Sequence, residues 1–230
     1  MGNVFITPQW FFGYDIALEL IFAVVTLLVS YYAYKIYKLS GQNHSRLFSL
    51  AFLFIGLSYI VQSILNFLIL EKLDDAVCGM INLQNVYLLN LFGIYFHTIL
   101  FIIGLIILVY SSLKIENVGA FVLLIVLVFS TLYFSPYKTF MLYLLSTLML
   151  GFIAYYYLEN YWNNRKATTL IVLIAMIFLF ISYLQFIFAT DSSTYYAIGH
   201  LMELVAYSLI LVNLLLILRA GKQKHGKKAR

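Results

Sequence analysis

Charge is what this chain has least of. Acidic and basic residues fill 10% of its 230 positions, against about 25% in an average soluble domain, and that shortage excludes a water-covered globular surface. Cysteine is nearly absent: Cys78 stands alone, so no intrachain disulfide can form, and the thiol reads as an incidental loop group. The opening residues, MGNVFITPQWFF, put no Lys or Arg ahead of an apolar stretch, and no small-residue cleavage pattern follows, so no cleavable signal peptide is expected. No lysine lies in the middle of an apolar run, which excludes a retinal Schiff base. Phosphate-cradling glycine loops, paired-cysteine motifs and nucleophile elbows are missing as well.

What is there is hydrophobic: 64% of the residues, in runs of about twenty or more positions without the alternation a barrel strand would show. Within lipid the backbone must satisfy its own hydrogen bonds, which for such runs leaves the helix. The expected fold is an all-α membrane protein, a seven-transmembrane-helix bundle. Its spans are Phe11 to Tyr37, Ser45 to Leu70, Val86 to Leu113, Val118 to Phe134, Tyr137 to Trp162, Lys166 to Thr190 and Thr194 to Arg219. The fourth is the shortest, and Ser135-Pro136 turns it tightly into the fifth, because the residue before proline is pushed away from helix. Residues 1–219 form one transmembrane domain, and 220–230 a disordered basic tail.

Basic residues stay on the cytoplasmic side of a membrane. Lys35, Lys38, Arg46, Lys114, Arg165, Lys166 and the six basic residues from Arg219 onward lie on one side; Lys72 and Lys138, beside Glu71, Asp74, Asp75 and Asp191, lie on the other. The chain is therefore expected in the cell membrane with its N-terminus outside and its C-terminus in the cytoplasm. Its tail would favour an anionic inner leaflet rather than nucleic acid.

An internal repeat is also legible. A shift of 124 residues lays Tyr31, Tyr32, Tyr37, Ala51, Phe54, Ser58 and Tyr59 on Tyr155, Tyr156, Tyr161, Ala175, Phe178, Ser182 and Tyr183, and a shift of 103 lays His97 on His200. The difference of 21 is absorbed by a long connection after the second helix, about Glu71 to Asn85. This gives a 3+1+3 parallel repeat, about 11–113 and 137–219 around a linker helix 118–134, related by an axis along the membrane normal.

Ionisable residues at bilayer depth are expensive and are functional candidates by default. Asp15, near its helix start, is expected to be an interfacial carboxylate in water. Glu19 lies one turn deeper, Gln62 and Asn66 sit on helix two, Asn90 and His97 on helix three, Gln185 on helix six, and His200, Glu203 and Tyr207 form a stripe on helix seven. Glu19, His97 and Glu203 fall roughly 12–16 Å deep at about 1.5 Å per residue, where they would meet in one outward-opening polar pocket. His200 and Glu203, three apart, can also pair with each other. The repeat would set His97 opposite His200, which suits a bridging metal ion or a bis-histidine haem, although no tight spacing such as His-x3-His occurs. Paired tyrosines near the helix ends, including Tyr31-Tyr32 and Tyr195-Tyr196, read as interfacial anchors.

The last helix, GHLMELVAYSLILVNLL from Gly199 to Leu215, has a histidine followed seven residues later by a tyrosine. It resembles the seven-helix sensor domains that precede histidine kinases and cyclic-dinucleotide enzymes in microbes. The resemblance implies ligand or redox sensing in the outer half, with His200 and Tyr207 in the carried-over positions. No output domain follows helix seven, so a signal would pass to a separate cytoplasmic partner. A receptor-like or sensor-like binding protein is the leading expectation; a metal- or haem-binding enzyme or electron carrier, and a small-solute transporter, are the alternatives.

The charge asymmetry makes a direct prediction. In a Cys78→Ser background, a cysteine at Ser192 reacts with a membrane-impermeant maleimide on intact cells, whereas one at Gln42 reacts only after permeabilisation; the reverse result inverts the topology.

Overall fold

The computed structural model describes the backbone of residues 12–77, 83–113, 118–189 and 193–228, and the side chains within 13–68, 93–113, 121–189 and 194–220. Seven helices account for these residues: α1 (Phe12–Ser40), α2 (Asn43–Val77), α3 (Leu83–Leu113), α4 (Val118–Phe134), α5 (Lys138–Asn164), α6 (Ala167–Phe188) and α7 (Ser193–Lys228). Six of them, all but α4, are long and apolar enough to cross a membrane. α4 keeps its expected limits and is the shortest helix: its 17 residues rise about 25 Å at about 1.5 Å each, at the lower limit for a span.

Two other boundaries differ. The long connection expected over Glu71 to Asn85 shrinks, because α2 runs on to Val77 and α3 starts at Leu83. The basic segment after Arg219, expected to be disordered, continues α7 as helix to Lys228. Lysine, glutamine and alanine propagate a helix well, and cations favour its C-terminal end.

Packing arranges six helices in a closed ring, α1–α2–α3–α5–α6–α7 and back to α1, with α4 outside it against α3 and α5. Connections are tight. Gly41, at φ 68°, turns α1 into α2, and Arg165, at φ 46°, closes α5 by donating its N–H to the Tyr161 carbonyl. After Pro136, Lys138 reaches back with its Nζ to the carbonyls of Leu132 and Tyr133, satisfying the end of α4.

Apolar side chains face both ways. Phe22, Phe52, Phe101, Ile102, Leu105, Met176 and Ile210 fill the ring's interior, while Val24, Leu57, Leu123, Leu127, Leu201 and Val212 are exposed, as a lipid solvent requires. With apolar surface on both sides, helix association rests on close approach and interhelical hydrogen bonds. Ser30 and Ser49 each donate a hydroxyl to the other's carbonyl at 2.8 Å, joining α1 to α2. Ser182 donates to the Gly199 carbonyl at 2.9 Å, joining α6 to α7. Between α2 and α3 the device is Gly104: a Cβ there would stand 2.7 Å from Ile55 Cγ1 and 2.9 Å from the Ala51 carbonyl oxygen.

Gly104→Ala is accordingly expected to lower stability by about 1–3 kcal/mol, the usual cost of overpacking. Gly13→Ala, where an added Cβ meets nothing within 4 Å, should leave it unchanged. Thermal unfolding of both variants in one detergent checks the contrast.

Candidate functional site

At the end of the ring where α1 and α7 begin, the interior turns polar. Tyr196, in the first turn of α7, donates its hydroxyl to both Asp15 oxygens at 3.0 and 3.1 Å. Asp15, expected in water near its helix start, is instead 3% exposed; its first-turn position is covered because α7 starts level with α1 and packs on it. On the next turn of α7, the His200 ring lies between two carboxylates. Its Nε2 is 3.3 Å from Asp15 Oδ1 and its Nδ1 is 3.2 Å from Glu203 Oε2, so the pairing expected for His200 and Glu203 is present, with Asp15 added.

The chain of polar groups continues inward. Glu203, 1% exposed, accepts the Tyr59 hydroxyl from α2 at 2.5 Å, and Tyr59 and Tyr207 share a hydrogen bond at 3.0 Å. Tyr183 of α6 brings its hydroxyl to Tyr59 as well. Asp15, His200, Glu203, Tyr59 and Tyr207 thus form one continuous path over three helices. Along α7, Tyr196 to Tyr207 spans eleven residues, about 16 Å at about 1.5 Å each.

Aromatic rings close around the imidazole. Phe22 stacks on it at 5.8 Å, Phe186 lies at 5.0 Å, and Tyr196 meets it edge-on at 4.5 Å between ring centroids. The stacked Phe22 face is hospitable to a cation.

The other candidates are distributed around this path. Glu19, 3% exposed, takes two hydrogen bonds from the Asn66 amide at 2.9 and 3.0 Å, linking α1 to α2. His97 turns its Nδ1 to the Ser58 carbonyl at 3.1 Å and stacks on Phe101. Gln185 reaches Met202 Sδ at 3.6 Å with its amide nitrogen, while its Oε1 is buried with no hydrogen-bond partner. Gln62 is half-buried. The side chain of Asn90 and residue Cys78 lie outside the described residues.

His97 and His200 therefore have separate partners. Both nitrogens of His200 already face carboxylates, one nitrogen of His97 is committed to backbone, and among the described residues no group of three or more His, Cys, Asp or Glu side chains is set to hold a metal.

Three participants escaped the sequence reading. Asp15 looked interfacial, Tyr196 looked like an anchor, and Tyr59 entered only through the repeat. A signal was available for Tyr196, since 196, 200, 203 and 207 continue one helical stripe at spacings of four, three and four.

Fold and interior together define a multi-pass helical membrane protein with a buried carboxylate–imidazole–phenol network. No protein-family model, curated protein or solved structure matches the chain.

Removing the Tyr59 hydroxyl strips buried Glu203 of its shortest donor. Tyr59→Phe should cost about 1–3 kcal/mol, the penalty for an unsatisfied buried group. Tyr207→Phe should cost less, because Tyr59 still serves Glu203. Equal melting temperatures for the two variants would contradict this ordering.

Proposed function

We propose that this protein is a receptor-like or sensor-like membrane protein, with its N-terminus outside and its C-terminus in the cytoplasm. The stimulus is received in the outer half of the ring and relayed as small helix shifts to a separate cytoplasmic partner. The observation that carries this reading is the one-sided polar interior, tied into α7. A single unbroken helix of 36 residues joins the network to the basic segment, a rod of about 54 Å at about 1.5 Å per residue. The orientation rests on the distribution of basic residues. Glu19 with Asn66, Gln62 and the unpartnered Gln185 Oε1 are the groups that offer hydrogen bonds to a small polar ligand.

A small-solute carrier is the second reading, and what favours it is the order of the ring. Exchanging α1, α2 and α3 with α5, α6 and α7 reproduces every contact between neighbours in the ring. The equivalent pairs Ala51 and Ala175, Ile55 and Leu179, Ser58 and Ser182, and Tyr59 and Tyr183 are all buried. Those features support the 3+1+3 parallel repeat. Against transport stands the other half of the ring, where Ser30 and Ser49 satisfy each other and apolar side chains fill the interior.

The test is a thermal-shift screen of small polar solutes on the purified protein, followed by uptake of each stabilising solute into proteoliposomes. A sensor gives a stabilising solute whose apparent affinity falls about tenfold, about 1.4 kcal/mol, in Glu19→Gln, and which the vesicles do not accumulate. Protein-dependent accumulation of that solute would overturn the sensor reading in favour of the carrier.

A further inference from the structure

We propose that His200 is a proton-binding site that fastens α1 to α7 when protonated, making the seam between these helices responsive to pH. This rests on the sensor-like reading and names a species sensed at the same site.

A neutral imidazole carries one N–H and one lone pair, yet both His200 nitrogens lie 3.2–3.3 Å from carboxylate oxygens. With the neutral ring and two carboxylates, one of the two contacts sets a lone pair against an anion. One added proton makes both contacts attractive, and because Asp15 belongs to α1 and Glu203 to α7, that proton joins two helices. Phe22, stacked on the ring, suits the cationic form.

Among the described residues, the remaining titratable groups that face this interior are acids, phenols and one further imidazole. They are Glu19 beside Asp15 on α1, Tyr59 on α2, His97 on α3, Tyr143 on α5, Tyr183 on α6, and Tyr196 and Tyr207 on α7. Histidine is the side chain among them whose ordinary titration falls between about pH 5 and 8. Loss of the proton leaves Tyr196 of α7 holding Asp15 of α1 and Tyr59 holding Glu203, so the helices stay packed while the second link across the seam, through His200, weakens. The seam closes the ring, and loosening it frees α7, the helix that runs on to the basic segment.

The experiment uses the full chain in nanodiscs, Cys78→Ser, with spin labels at Tyr14→Cys and Tyr195→Cys, two exposed positions at the starts of α1 and α7. The interlabel distance is measured by pulsed electron paramagnetic resonance from about pH 5 to pH 9, spanning histidine titration. The distance should lengthen by about 1–2 Å, the scale of helix shifts, and broaden as pH rises, and His200→Gln should remove the dependence. Nitrogen-15 spectra of the histidine-labelled wild-type chain give a second readout independent of that variant's folding. The His200 ring signals should pass from imidazolium to neutral with the midpoint of the distance change. A distance that is constant with pH in the wild-type chain, a shift that persists in His200→Gln, or His200 signals that do not follow the distance would each overturn the proposal. The solute screen and uptake assay judge the sensor-like reading separately, so the two failures are distinguishable.

Discussion

A carboxylate taken out of water must be met by donors, and Glu203 sits where that demand is highest. It is buried in the ring, and it is met from α2 by Tyr59 and from its own helix by His200. Breaking such an arrangement by removing one partner strands a charge in a medium of low dielectric, which is far costlier than never having built it. The rest of the polar interior is arranged around the same requirement. His200 needs a second acceptor and finds Asp15 on α1; Asp15 needs donors and finds Tyr196; Tyr59 leaves an oxygen for Tyr207. Each group is explained by its neighbour, and the chain as a whole ties three helices together at one end of the ring.

The two ends of the bundle hold together by different means. Where α1 and α7 begin, ionisable groups supply directional bonds that depend on protonation. Toward the other end, the hydroxyl pair of Ser30 and Ser49 joins α1 to α2 with neutral groups. A ring built this way has one adjustable seam and a set of fixed ones, the kind of asymmetry a bundle needs if an event at one end is to shift a helix rather than unfold it.

Much of the fold was legible from residues alone. Runs of about twenty apolar positions could only become helices in lipid, and the helix limits follow the turns at Gly41, Pro136 and Arg165. The tail was misjudged because basic residues were read as solvating, while their helix propensity carried α7 onward. At the site, the stripe of His200, Glu203 and Tyr207 was visible from spacing, as was the intramembrane position of Glu19.

By itself the sequence determined the environment, the helical class, the order of the elements and the short roster of groups able to do chemistry. Each of these follows from local hydropathy and from the cost of an unpaired polar group in lipid. Only the tertiary structure decided who meets whom. It put α7 beside α1, which buried Asp15 against Tyr196 and His200 and turned an expected surface carboxylate into half of a clamp. It also gave His97 and His200 different partners and placed α4 outside the ring. Partners on helices far apart in the chain are chosen by how the helices pack, and a run of apolar residues carries little information about which neighbour each of its faces will find.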